Sequence, residues 1–195
     1  PLSRGFDEYY GVLGGGSQYV EEPGKEVVYA LNGEPGPRSD YNAIYRGREK
    51  ISEKEYLTDA FTREALSFID RHAESPFFLY LSHIAPHTPL QTTTGYLDRH
   101  GHVQYMPTRV YGAMVSALDD SVGAVFEKLR YLDQLENTLI AFVSDNGCAV
   151  YIGNACSNLG FAGFKRIQQE GRIRVPFILS WPGRLRAGQY FTDPV

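Results

Sequence analysis

The side chains in this sequence best placed for chemistry are Asp145, Asn146, His87 and Lys165. Asp145 and Asn146 stand side by side in Ser144-Asp145-Asn146-Gly147 and offer a carboxylate and an amide oxygen, with a glycine behind them that permits a tight turn. Hard cations such as calcium take oxygen ligands of this sort. The same tripeptide is also a favoured turn after a strand. His87 lies between Pro86 and Pro89, whose rings restrict the backbone on either side. An imidazole in such a loop can donate a hydrogen bond to an ester oxygen or act as a general acid; it can equally be a half-buried loop histidine bonded to a carbonyl. Lys165, in Gly163-Phe164-Lys165, carries an ammonium that can neutralise a sulfate or phosphate oxygen as a point charge, as any surface lysine can.

Other candidates fit chemistry less well. His83 is less constrained than His87 and reads as structural, and His100 and His102 flank Gly101 in a polar stretch that suits a solvated loop. Asp119-Asp120 falls inside a helical pattern, which favours a solvated or helix-packing role over a catalytic dyad. Cys148 and Cys156 have neither CxxC spacing nor the partners of a zinc site, and can pair locally or stay free.

Elements that could position these groups are visible in the apolar pattern. From about Tyr56 to His72, Leu57, Ala60, Phe61, Ala65, Phe68 and Ile69 recur at three- and four-residue steps, and the spacing predicts an amphipathic helix. Val110, Met114, Ala117, Leu118, Val122, Val125 and Leu129 predict a second over about Thr108 to Leu132. Short apolar runs at Phe77–Leu81, Leu139–Val143 and Val175–Trp181 predict buried strands, the last ending at the turn signal Pro182-Gly183. Strands alternating with long helices imply a layered α/β domain with a largely parallel central sheet and helices on both faces. In such sheets ligands bind beyond the carboxyl ends of the strands, and the His87 and Asp145 segments directly follow two of the predicted ones. The first fifty residues, rich in glycine and proline, read as loops around short strands.

Composition narrows the function class. At 195 residues, 43% hydrophobic and 22% charged, the chain is within the range of one globular domain. A net charge of −4 with scattered basic residues gives no nucleic-acid surface, and no apolar run approaches the roughly 20 residues of a membrane span. The chain begins at Pro1 and is expected to be part of a longer one, so a missing signal sequence carries no information about compartment.

Four segments in order resemble the type I sulfatase family of the alkaline phosphatase superfamily. They are Gly5-Phe6-Asp7-Glu8-Tyr9-Tyr10-Gly11; Phe77 to Gln91 with its Ala-Pro-His-Thr-Pro-Leu-Gln core; Ala117 to Gly123 followed by Ser144-Asp145-Asn146-Gly147; and Lys165 with Glu170-Gly171-Arg172-Ile173-Arg174-Val175-Pro176 and Trp181-Pro182-Gly183. The resemblance implies an alkaline-phosphatase-like fold, of which residues 1–195 would be the central part of a single catalytic domain. It implies hydrolysis of sulfate esters with a calcium ion and a formylglycine nucleophile made from cysteine or serine. By motif position, Asp145 and Asn146 match metal ligands, His87 the histidine near the leaving-group oxygen, and Lys165 the lysine that contacts the sulfate. The implied substrate is a sulfated small molecule or sulfated sugar, and the implied location is periplasmic, extracellular or lysosomal.

The departures are specific. Neither cysteine is followed by the x-Pro/Ala-x-Arg of the formylglycine motif, so the nucleophile, the remaining calcium ligands and the smaller C-terminal subdomain are expected outside this chain, and the chain alone is expected to be inactive. Arg172 stands where a second glycine is usual, which puts a larger charged side chain near Lys165. A phosphoesterase or phosphonate monoester hydrolase of the same superfamily shares the hard-metal logic, and a non-catalytic binding relative would keep only the fold.

Overall fold

A computed structural model describes residues 1–191. The chain divides into two compact units: residues 1–125 with 151–156, and residues 126–150 with the chain beyond 156.

The first unit contains β1 (Tyr10–Val12), β2 (Val27–Ala30), β3 (Ile44–Arg46), β4 (Glu49–Ile51), α1 (Leu57–Arg71), β5 (Leu90–Thr93), α2 (Thr94–Asp98) and most of α3 (Met106–Tyr131). Strands β1, β3 and β4 form one antiparallel sheet, and β2 pairs antiparallel with β5 in the register Val27↔Thr93 to Ala30↔Leu90. The β3–β4 turn is only Gly47-Arg48, and Gly47 takes a φ of +62°, the left-handed geometry that two-residue hairpins require.

Both long helices form where the apolar spacing predicts them. Helix α1 buries Leu57, Ala60, Phe61, Ala65 and Ile69, and α3 buries Val110, Ala113, Met114 and Ala117. These steps of three and four place one stripe of each helix in a core that also takes Tyr19, Ile44, Tyr56, Leu90 and Ile152. Burying side chains of this size contributes about 1.5–3 kcal/mol each over leaving them in water.

The second unit holds β6 (Ile140–Val143), α4 (Glu170–Ile173) and β7 (Phe177–Ser180), with β6 and β7 antiparallel from Ile140↔Ser180 to Val143↔Phe177. The sheets of the described residues are thus small and antiparallel, and the largely parallel central sheet expected from the alternation of elements is not what these strands build. The Phe77–Leu81 run shows why. Its side chains alternate between half-buried (Phe77, Leu79, Leu81) and exposed (Phe78, Tyr80), the period of extended chain, yet it pairs with no strand among the described residues. The other two apolar runs, predicted as Leu139–Val143 and Val175–Trp181, form strands by pairing with each other. Among the described residues no helix is long and apolar enough to cross a membrane.

Two further histidines and Asp120 have side-chain partners within the first unit. His100 Nε2 bonds Ser116 Oγ at 2.8 Å, and Asp120 pairs with Arg99 at 2.6 Å on the surface. His83 is half-buried against Phe61, with Nε2 2.9 Å from Ser121 Oγ, which lies 2.7 Å from Thr62 Oγ1, itself 2.8 Å from the Thr58 carbonyl. The order that orphans no donor has Nε2–H donating to Ser121, Ser121 to Thr62 and Thr62 to the carbonyl. The Nδ1 atom is buried without a partner, so a proton added there would be an unpaired N–H. Burial accordingly pulls the His83 pKa down from 6.5 to about 4.

In that window the unfolded chain binds a proton that the folded chain does not, so stability rises with pH there and is lost as pH falls from 6.5 toward 4. The loss attributable to this residue reaches about 3 kcal/mol. Urea titrations of the wild type and of His83→Gln between pH 7 and pH 4 should show a steeper decline in the wild type; parallel curves would remove His83 as the cause.

Candidate functional site

Loops beyond the helices and strands carry the site residues, and buried polar groups fix those loops. In the first unit, His87 sits directly before β5. Its backbone N–H donates to the Ile84 carbonyl at 2.8 Å, and its own carbonyl accepts from the Tyr19 hydroxyl at 3.0 Å. Tyr19 is almost fully buried and stacks on Tyr56 with ring centroids 5.7 Å apart. The bonds Ala85–Pro86 and Thr88–Pro89 are both cis.

The imidazole has both nitrogens engaged. Nδ1 lies 2.7 Å from the Thr88 carbonyl, which can only accept, so Nδ1 carries the proton. Nε2 is then free to accept, and the Tyr151 hydroxyl donates to it at 3.3 Å. The carbonyl-bonded loop histidine and the chemically available histidine are therefore the same residue: one nitrogen anchors the ring, and the other is presented on the surface beside Tyr151. Sequence reading missed Tyr151, which is 64 positions away and carries no local signal.

Gln91, two residues past Pro89, is wholly buried with its amide fully used. Its Oε1 accepts from the Tyr19 and Val20 amides at 2.8 and 3.2 Å, and its Nε2 donates to Gln18 Oε1 and to the Gly33 carbonyl at 2.5 and 2.9 Å. The buried Arg38 holds the same segment from its other side, donating to the Gln18 carbonyl at 3.0 Å while pairing with Glu21 at 2.9 Å.

In the second unit, Ser144-Asp145-Asn146-Gly147 leaves β6, and the Ser144 amide adds one more rung to the ladder by donating to the Pro176 carbonyl at 3.2 Å. Asp145 is exposed, and no hydrogen bond or ion pair to its carboxylate occurs among the described residues. Asn146 donates through Nδ2 to the Gly147 carbonyl at 3.0 Å, which leaves Oδ1 as an unengaged oxygen.

Gly147 then meets two other loops. Its N–H donates to the Arg172 carbonyl at 2.9 Å, and a Cβ added to it would lie 1.8 Å from the Gly171 carbonyl oxygen, far inside contact distance. Gly171 is as confined, since a Cβ there would lie 2.4 Å from the Gly163 carbonyl oxygen. Asn158 joins the loops through its side chain, accepting from the Cys148 amide at 2.7 Å and donating to the Gly163 carbonyl at 2.9 Å. The Lys165 amide donates to the Cys148 carbonyl at 3.0 Å, so the lysine is tied three residues from Asp145.

Asp145, Asn146 and Lys165 are thus gathered in the second unit, and His87 belongs to the first. Asp145 also lines an open depression of about 540 Å³ together with Gln168, Arg172 and Ile173. Both cysteines are disulfide-bonded, so neither thiol is available as a nucleophile.

The Sulfatase family model matches residues 2–192, and the chain belongs to that family. The Uncharacterized sulfatase YdeN of Escherichia coli (strain K12) is 30% identical over 193 residues, covering 97% of this chain and 31% of its own. The N-acetylgalactosamine-6-sulfatase of Canis lupus familiaris is 37% identical over 198 residues, covering 97% and 35%. The crystal structure of Ps i-CgsB in complex with k-i-k-neocarrahexaose matches with a TM-score of 0.86 and 36% identity over 100% of this chain and 44% of that one. The chain spans about a third of the length of the curated relatives it matches.

Two substitutions test the supports of these loops. Gln91→Leu should orphan the Tyr19 and Val20 amides and the Gly33 carbonyl and lower stability by about 3 kcal/mol or more in urea denaturation; a change under about 1 kcal/mol would mean that water replaces the amide. Gly147→Ala puts a methyl against backbone that no rotamer change relieves, and should cost at least about 2 kcal/mol. A Gly147→Ala protein as stable as the parent would show that the Asp145 and Arg172 loops do not pack as described.

Proposed function

We propose that the protein carrying this chain hydrolyses sulfate esters, with Asp145 and Asn146 as oxygen ligands of a calcium ion, Lys165 facing the sulfate oxygens and His87 at the leaving-group oxygen. The observation that carries this reading is the sulfatase match over residues 2–192, within which the acidic pair and the lysine are held by one set of backbone bonds. The relatives reported above are sulfatases, which favours a sulfate over a phosphate or phosphonate ester.

The donor set suits a hard cation: a carboxylate with no competing partner and an amide oxygen left free by its own N–H. Among the described residues no group of three or more His, Cys, Asp or Glu is placed to hold a metal, so these two oxygens would be part of a shell of about 6 to 8. When bound, calcium would offset the negative charge of the sulfate oxygens. Lys165 would add a second positive charge from a backbone position fixed by its bond to Cys148. His87 keeps its ring fixed by the Nδ1–H bond to Thr88, so Nε2, once it takes up a second proton, is aimed by the loop and needs no reorientation of the ring to reach an ester oxygen. The formylglycine nucleophile that the family implies would come from outside these residues.

A sulfated sugar is the substrate class we favour. The canine relative is named for N-acetylgalactosamine 6-sulfate, and Ps i-CgsB was crystallised with a hexaose. The disulfide-bonded cysteines suit an oxidising compartment, in keeping with a periplasmic, extracellular or lysosomal enzyme.

In the full-length protein, Asp145→Ala should weaken calcium binding and abolish release of 4-nitrophenol from 4-nitrophenyl sulfate. Lys165→Ala should retain calcium while turnover falls on the order of a hundredfold. Calorimetric calcium titration beside the rate assay separates the two, and equal loss of calcium in both variants would overturn the division of roles.

A further inference from the structure

Arg172 follows the confined Gly171 and lines an open depression together with Asp145, Gln168 and Ile173. Three other arginines of the second unit are engaged. Arg174 lies 3.7 Å from Glu170 and 4.5 Å from the Phe161 ring centroid, Arg130 pairs with Glu127, and Arg184 lies over Trp181 at 5.6 Å. No hydrogen bond or ion pair to the Arg172 guanidinium occurs among the described residues, and it does not pair even with Asp145 on the same rim.

Its position is nevertheless fixed at the backbone. The Arg172 carbonyl accepts from Gly147, its N–H donates to the Gln169 carbonyl at 2.9 Å, and the preceding Gly171 donates to the Ala162 carbonyl at 2.7 Å. The residue that presents the guanidinium is therefore bonded to the residue two positions after Asp145. An arginine with its backbone bonded in place and no guanidinium partner among the described residues, lining an open depression, is a ready oxyanion receptor, because its planar fork of N–H groups matches carboxylate or sulfate oxygens in pairs.

We propose that Arg172 forms a second anion-binding position beside the candidate site and holds a negatively charged group of the substrate other than the sulfate ester that is cleaved. This rests on the sulfate-ester reading above and narrows it: the substrate is a sugar bearing at least two anionic groups. Gln168 supplies a neutral amide donor in the same depression, and Ile173 an apolar wall on which the carbon face of a sugar ring can lie. Division of labour follows from charge. A cation on Asp145 and Asn146 and the ammonium of Lys165 serve the scissile group, and Arg172 serves its anionic neighbour.

The test uses the full-length protein with four probes: 4-nitrophenyl sulfate, a monosulfated disaccharide, the same disaccharide with a second sulfate, and the same disaccharide with a uronate carboxylate. The wild type should show a KM about tenfold lower for at least one doubly charged disaccharide than for the monosulfated one, as expected of one charge-assisted contact. The arm that shows the drop identifies sulfate or carboxylate. Arg172→Gln should erase that preference with kcat for the doubly charged ester retained, and Arg172→Lys should restore part of it. Equilibrium binding of the doubly charged disaccharides to the same variants should follow the same order.

A preference that survives Arg172→Gln, or a loss that is equal on all four probes, would overturn the assignment. A wild type that cleaves the monosulfated ester without preferring either doubly charged one refutes the Arg172 inference alone. A wild type that releases sulfate from none of the four refutes the sulfate-ester reading, and this inference with it.

Discussion

Backbone that is buried outside helices and strands must still find hydrogen-bond partners, and in this protein two amide side chains meet part of that demand. Gln91 does so in the first unit, closing on two amides, a carbonyl and the Gln18 side chain. Asn158 does so in the second, accepting from Cys148 and donating to Gly163. Carboxamides suit the task because one planar group carries both an acceptor and two donors without charge. A carboxylate would offer no donor, and an aliphatic side chain neither. The loops of His87 and of Asp145 are therefore as defined as the helices, although neither is part of a regular element.

That construction explains what could and could not be read in advance. Helices α1 and α3 were legible because each buries a stripe, and the burial of Leu57, Ala60, Phe61, Val110, Met114 and Ala117 repeats the spacing by which they are recognised. Strand identity in the second unit was legible for the same reason, but pairing was not: a run of apolar residues specifies neither its neighbour nor its direction. Hence Phe77–Leu81 is extended without a ladder, and β6 and β7 pair antiparallel.

The candidate site shows a similar division. Motif position singled out His87, Asp145, Asn146 and Lys165, and the backbone bond from Lys165 to Cys148 places the last three on loops that share one framework. The Tyr151 contact to His87, the reach of Gln91 across 72 positions to Tyr19, and the approach of Gly147 to Gly171 are long-range in sequence and leave no periodic trace. Arg172 was visible as a departure from the family pattern, but the depression that it lines with Asp145 was not.

The contact between Gly147 and Gly171 also bears on motion. Three loops meet there through the amides of Gly147, Cys148, Lys165 and Gly171, each bonded to a different loop from its own, so none can open without breaking a bond that holds another. Such a cluster fluctuates as a single cooperative unit. Displacement of the Asp145 loop is then correlated with that of the loops carrying Lys165 and Arg172, and the spacing between these backbones varies less than the position of any one of them.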